Sequence, residues 1–97
     1  MKLPERATLE QAAGLAASLP AALADGEGPL HVDASALRAY DSSTIALLMQ
    51  ARRLARAAGR GFEVDAAPAQ LVELARLYGV AELLSLATGL DAPSAGA

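Results

Sequence analysis

The sequence predicts a small α/β domain with a mostly parallel sheet and helices packed on one face. Two short segments, residues 30–34 and 62–66, alternate apolar and polar side chains, as strands with one buried face do. Each is followed by a longer segment whose apolar residues recur at helical spacing, and strands that alternate with helices form parallel sheets. At 97 residues, the chain is long enough for one modest core and too short for two.

The segment before the first strand predicts a helix. Residues 2–6 form at best a short edge strand, because Pro4 removes a backbone donor. Thr8 and Gln11 have the spacing of a capping box, which predicts a helix from there to about residue 24, interrupted at Pro20. Residues 25–29 have the composition of a loop. The apolar side of this helix is Leu9, Ala12, Ala13, Ala16, Leu19 and Leu23.

The central helix is predicted to leave a polar turn at residues 41–44, whose hydroxyls are typical helix caps. A projection at about 100° per residue separates two faces. The face predicted to lie in the core is Leu47, Ala51, Leu54, Ala55 and Ala58. The face predicted to point outward is Ser42, Ile45, Met49, Arg52, Arg53 and Arg56, with Ser43 nearer the edge of the core face. Apolar anchors mixed with arginine are typical of a partner surface, although a solvated basic face would show the same pattern.

The chain after the central helix predicts one more strand and one more helix. The glycines at 59 and 61 end the central helix, and Pro68 is well placed to begin the next one after the strand at 62–66. Leu71, Leu74, Ala75 and Tyr78 recur at helical spacing until Gly79. Residues 80–86 form a short closing segment, and residues 87–97 are expected to be a flexible C-terminal tail.

Composition and motifs argue against most catalytic classes. The net charge of −3 argues against general nucleic-acid binding, and a chain without cysteine has no thiolate metal site. His31, the only histidine, is expected to have a strand or surface role, since it has no neighbouring nucleophile or further metal ligands in sequence. Phosphate-loop and nucleophile-elbow motifs are absent. We therefore expect no enzyme, no cofactor and no metal.

The chain also lacks the sequence features of a membrane protein. Its first residues lack the apolar run of a signal peptide, and no stretch approaches about 18 uninterrupted apolar residues. A cytoplasmic location is therefore expected.

Several motifs resemble the STAS domain of anti-sigma-factor antagonists, and within that superfamily they most resemble MlaB. They are Val-Asp-Ala-Ser at 32–35, Asp-Ser-Ser-Thr-Ile-Ala-Leu-Leu at 41–48 and Phe-Glu-Val at 62–64. More specific is the run at 70–80, similar to the leucine-alanine-basic-leucine-tyrosine run of MlaB proteins. The resemblance implies a STAS-like (SpoIIAA-like) fold over residues 1–86.

The resemblance also implies a function. MlaB proteins are non-enzymatic subunits that bind the ATPase of the Mla ABC transporter at the inner face of the Gram-negative inner membrane. The complex moves phospholipid and maintains outer-membrane lipid asymmetry. The implied partner is thus an MlaF-like ATPase with its permease. In the family, a hydroxyl residue directly after the aspartate lies in the ATPase interface, and the matching residue is Ser42.

The alternative implied by the same superfamily is an anti-sigma-factor antagonist, whose partner would be an anti-sigma-factor kinase. The phosphorylated serine of those proteins matches Ser43. They usually carry glycine or alanine after the second hydroxyl, whereas this chain has Thr44.

Overall fold

The computed structural model describes residues 1–24, 26 and 28–84. Along the chain it contains four helices and two strands within these residues: α1 (Leu9–Ala17), α2 (Leu19–Ala24), β1 (Leu30–Asp33), α3 (Ser42–Ala57), β2 (Phe62–Asp65) and α4 (Ala69–Leu77). The predicted α/β order and the parallel sheet are confirmed. The predictions for residues 85–97, including the flexible tail, lie outside the described residues.

The sheet pairs β1 with β2 in parallel, and Leu30 stands opposite Phe62 and Val32 opposite Val64. These four side chains belong to the core. Alternate residues of the two strands, including His31 and Glu63, are exposed on the other face. The helices therefore cover one face of the sheet, as the sequence predicts, and the opposite face is polar because strand side chains alternate.

The N-terminal segment lies beside β1 without forming a regular strand. It makes two isolated parallel bridges, from Lys2 to Asp33 and from Arg6 to Ala39. Between them, Leu3 is buried and its amide donates to the carbonyl of Asp33 at 2.9 Å. In place of the predicted edge strand, this segment forms only these two isolated bridges.

The predicted N-terminal helix is divided at Ser18 into α1 and α2, and Pro20 is the second residue of α2. A proline there lacks only an amide that the helix would not use. Leu9 and Ala13, which lie on the predicted apolar side of this helix, are both exposed. The reason is that α1 forms an outer layer against α3, and none of its nine residues is buried.

The ends of α3 follow the local sequence. Asp41 is its N-cap, and its carboxylate accepts from the amide of Ser43. Gly59 has a φ of +75°, a left-handed conformation that glycine adopts without the strain of a β-carbon, and the helix ends there. Pro68, predicted as the first residue of α4, is its N-cap instead, a shift of one residue.

Candidate functional site

The polar turn at the start of α3 is held by reciprocal hydrogen bonds. The Asp41 carboxylate accepts from the amide of Ser43 at 2.9 Å, and the Asp41 amide donates to the hydroxyl of Thr44 at 3.1 Å. Two of the amide groups left unpaired at a helix start are satisfied in this way. Asp41 and Thr44 are therefore occupied by the fold, whereas Ser42 between them is exposed.

Thr44 connects this turn to the N-terminal segment. It is fully buried, and its hydroxyl donates to the backbone carbonyl of Ala7 at 2.7 Å. A glycine or alanine at this position would leave that carbonyl without the hydroxyl donor. The threonine that departs from the antagonist pattern thus has a structural function in this chain.

Asp41 also joins two helix starts. One carboxylate oxygen accepts from Ser43 at 2.9 Å, and the other lies 3.4 Å from the amide of Leu9, the first residue of α1. Both helix N-termini carry partial positive charge, which a carboxylate stabilises. The starts of α1 and α3 are thereby held side by side, with Ser42 and Ser43 beside them.

The outward face predicted for α3 is only partly correct. Ser42, Arg53 and Arg56 are exposed, and Ser43, Met49 and Arg52 are half-buried. The prediction for Ile45 is wrong, because this side chain is only 4% exposed and belongs to the core.

The prediction for Ala58 is wrong in the opposite direction to that for Ile45. The sequence predicts Ala58 in the core, but it is exposed, because it lies beyond the end of α3. Ile45 lies only about 60° from Ser42 on the helix projection, and α3 is covered by α1, α2 and β2, so its buried arc is wide. The projection locates the centre of the exposed face correctly and fails at its flank.

An apolar groove of about 380 Å³ lies between α1 and α3. Its α1 wall is Leu9, Ala12, Ala13 and Ala16, and its α3 wall is Ser43, Ala46, Leu47 and Gln50. Leu9 is 74% exposed at one end of the groove. Small alanine side chains on both helices leave the depression between them. Because Ser43 lines the groove, the polar turn and the apolar surface form one continuous site, hereafter the α1–α3 groove.

The sequence does not predict this groove, because helical spacing shows which residues of α1 share a side but not what that side packs against. One signal for it is present in the sequence: α1 is short and its apolar side is mostly alanine. Such a face adds little to a core, since hydrophobic stabilisation follows the apolar area removed from water.

The arginines of α3 border a second depression, of about 440 Å³, on the other flank. Arg52 and Arg56 line it together with Phe62 and Glu82. Arg60 also lines it, but its guanidinium donates to the carbonyls of Leu23 and Gly28 and so closes the loop before β1. Thus Arg52 lies away from the α1–α3 groove, and Arg53 and Arg56 continue the exposed ridge of α3.

The other polar residues singled out from the sequence lie away from the α3 turn. His31 is on the open sheet face, where its Nδ1 atom is 2.9 Å from a carboxylate oxygen of Asp65. Asp33 accepts from the amide of Ser35 at 2.9 Å, and the Ser35 hydroxyl and amide lower the pKa of Asp33. Asp33 and Asp41 each accept a hydrogen bond from a backbone amide in their own turns.

A small parallel sheet, helices on one face and a hydroxyl turn at the start of the central helix together define a STAS-type domain. The chain belongs to the MlaB-type STAS domain family: the family model described as "Mlab, STAS domain" matches residues 1–86. No curated protein matches the chain significantly. In the part of the chain that the structure describes, no helix has the length and apolar character needed to cross a bilayer.

Proposed function

We propose that this chain is a non-catalytic subunit of an Mla-type ABC transporter, bound at the cytoplasmic face of the inner membrane through its partner. It binds an MlaF-like ATPase, which acts with its permease, and supports the assembly and activity of that ATPase. The transport reaction moves phospholipid and maintains outer-membrane lipid asymmetry. The observation that carries this proposal is the apolar α1–α3 groove, which opens beside the hydroxyl turn that the family uses for its ATPase.

The composition of α1 supports a partner at this groove. Six of its nine residues are alanine or leucine, yet none of them is buried. An apolar helix of this kind gains stabilisation when a partner removes its surface from water, at roughly 25 cal/mol per Å². Leu9, at 74% exposure, offers the most apolar surface there and is expected to contribute most of the area that a partner buries.

The polar neighbours of the groove supply its rim. Ser42 and Ser43 stand at one end, Gln50 lies along the α3 wall, and Arg53 follows on the exposed ridge. Interfaces commonly place an apolar centre inside a polar rim, with arginine enriched. We therefore expect the ATPase to present an apolar segment to the groove and acidic or polar groups to the ridge.

A non-catalytic role is supported by how the polar side chains are used. The Asp41 carboxylate caps helices, and the Thr44 hydroxyl bonds to a buried backbone carbonyl. His31 projects from the opposite face of the sheet to the helices, so it is not near Ser42 or Ser43. A serine nucleophile would need a base within hydrogen-bonding reach.

The alternative function, an antagonist of an anti-sigma factor that is switched by phosphorylation, is favoured by one observation. Ser43 lines the α1–α3 groove, so a phosphate there would place about two negative charges beside an apolar surface. The helix N-terminus would accept the phosphate without loss of the fold. The two functions therefore use the same groove and differ in the partner and in the modification.

The test is an affinity capture of the tagged chain from its own host, read by mass spectrometry, with two matched variants. Ala13→Arg places a long cation in the groove, whereas Ala17→Arg changes an exposed alanine of the same helix outside it. Recovery of an ABC ATPase with its permease by wild type and A17R, and its loss with A13R, is the expected result. Equal recovery by A13R would refute the groove as the docking site. Recovery of a small kinase, with phosphate on Ser43, would establish the alternative.

A further inference from the structure

We infer that the open face of the sheet carries a binding site for a borderline divalent cation of the Zn²⁺ class, formed by His31, Glu63 and Asp65. The site lies on the face opposite the helices and is independent of the proposed transporter function. It is assembled only by folding, because His31 is more than thirty residues from the two carboxylates in the sequence.

Strand register brings the three side chains together. His31 on β1 is paired with Glu63 on β2, and Asp65 lies two residues further along β2, so all three project from the same face. The His31 Nδ1 atom is 2.9 Å from an oxygen of Asp65 and 3.8 Å from an oxygen of Glu63. One potential ligand atom from each residue lies within 4.8 Å of the other two.

These separations suit a tetrahedral metal ion. Zinc–ligand bonds of about 2.0–2.2 Å place neighbouring ligand atoms roughly 3.3–3.6 Å apart. The separations of 2.9 and 3.8 Å from Nδ1 lie on either side of this range, and all three ligand atoms lie within 4.8 Å of one another. Three protein ligands leave a fourth position for water.

The donor set selects the type of cation. An imidazole nitrogen suits Zn²⁺, Cu²⁺ or Co²⁺, whereas Mg²⁺ and Ca²⁺ take oxygen ligands. Two carboxylates balance the charge of a divalent ion. In the described part of the chain, His31 is the only basic side chain within 4.0 Å of the Glu63 or Asp65 carboxylate.

The competing explanation is a cross-strand hydrogen bond between His31 and Asp65 that merely stabilises the open face. The two explanations differ in one measurable step. When a metal binds Nδ1, it must displace any proton shared with Asp65, so binding releases a proton and changes the imidazole signals. If the two residues form only a hydrogen bond, added metal should cause neither saturable proton release nor a saturable change in the imidazole signals.

The composition allows metal binding at this site to be observed without signals from other histidines or from cysteines. The chain has one histidine and no cysteine, so the imidazole signals in ¹H–¹⁵N NMR report this site alone. ZnCl₂ and CoCl₂ are titrated by calorimetry and NMR into protein purified without a polyhistidine tag. The variants are His31→Gln and Asp65→Asn, with Glu73→Gln as the control, since Glu73 is exposed and pairs with Arg76 on α4.

The expected result is saturable binding of one Zn²⁺ per chain, with saturable shifts of both imidazole nitrogens. H31Q and D65N should each weaken Zn²⁺ binding at least ten-fold, whereas E73Q leaves it unchanged. Equal Zn²⁺ affinity of wild type and H31Q would overturn the inference. Wild-type imidazole signals that do not respond to Zn²⁺ would also overturn it and leave the cross-strand hydrogen bond as the explanation.

Discussion

The hydroxyl of Thr44 donates a 2.7 Å hydrogen bond to the backbone carbonyl of Ala7, across 37 residues of sequence. The same oxygen accepts from the amide of Asp41. One buried side chain thus joins the N-terminal segment to the first turn of α3, where the candidate docking site begins.

Thr44→Val keeps the shape of the side chain and removes both hydrogen bonds. It leaves a buried carbonyl without its hydroxyl donor, so we expect the free energy of unfolding to fall by about 1–3 kcal/mol. Urea denaturation followed by circular dichroism measures this loss. Ser42→Ala is the matched control, because Ser42 is exposed in the same turn and its removal should change the stability by less than about 0.5 kcal/mol. Equal stabilities of T44V and wild type would refute the structural role of this hydroxyl.

Ala66 is the only non-glycine residue with positive φ in the part of the chain that the structure describes, at +60°. A left-handed conformation costs a residue with a β-carbon roughly 1–2 kcal/mol, and glycine adds about 0.5–1 kcal/mol of chain entropy to the unfolded state. Ala66→Gly should therefore raise the free energy of unfolding by up to about 1 kcal/mol. The control is Ala46→Gly, at an exposed position within α3, which should lower it by about 1 kcal/mol. A destabilised A66G would contradict the strained conformation.

The Ser42→Glu substitution is expected to weaken docking without destabilising the fold. A carboxylate in the first turn of a helix is compatible with the helix dipole, so the thermal midpoint should stay within a few degrees of wild type. The same charge at the end of the α1–α3 groove should weaken the complex with the proposed ATPase partner about ten-fold, which is about 1.4 kcal/mol. Biolayer interferometry measures the affinity. Ala69→Glu is the control, since it places the same charge in the first turn of α4. Weakening by A69E as great as by S42E would show a non-specific charge effect.

Asp33 is expected to titrate below a normal aspartate, because the hydroxyl and the amide of Ser35 lower its pKa. A lowered folded pKa means that the carboxylate stabilises the fold above the unfolded pKa, and this contribution is lost as the pH falls through the folded pKa. The loss should therefore occur below about pH 4. Carbon-13 NMR of the carboxyl group measures the midpoint. Ser35→Ala should raise it, whereas Ser18→Ala, at a distant exposed serine, should not.

The sequence predicts the architecture well because its signals are local. The polar turn before α3, the glycine after α3 and the alternation of the two strands each act within a few residues, and the structure has all three. The prediction for Ile45 is wrong, and the exposure of Leu9 is not predicted, because the burial of both side chains depends on neighbouring elements. A projection of one helix cannot show which flank another helix covers, and it cannot show that α1 packs as an outer layer.

The three side chains of the sheet site illustrate the same limit. Both strands carry an apolar residue, a polar residue, valine and aspartate in that order. That shared pattern shows that the polar residues lie on one face of each strand. Only the register shows that His31 stands opposite Glu63, and register is fixed by the pairing of distant segments.

The absence of buried residues in α1 also determines how the chain fluctuates. Local opening requires little energy where few apolar contacts are lost, so the amides of α1 should exchange with deuterium well before those of α3. Binding of a partner to the groove would raise the protection of α1 above its level in the isolated chain. A bound partner, the proposed ATPase included, would then contribute part of the stability of α1, and deuterium exchange of that helix would report on complex formation.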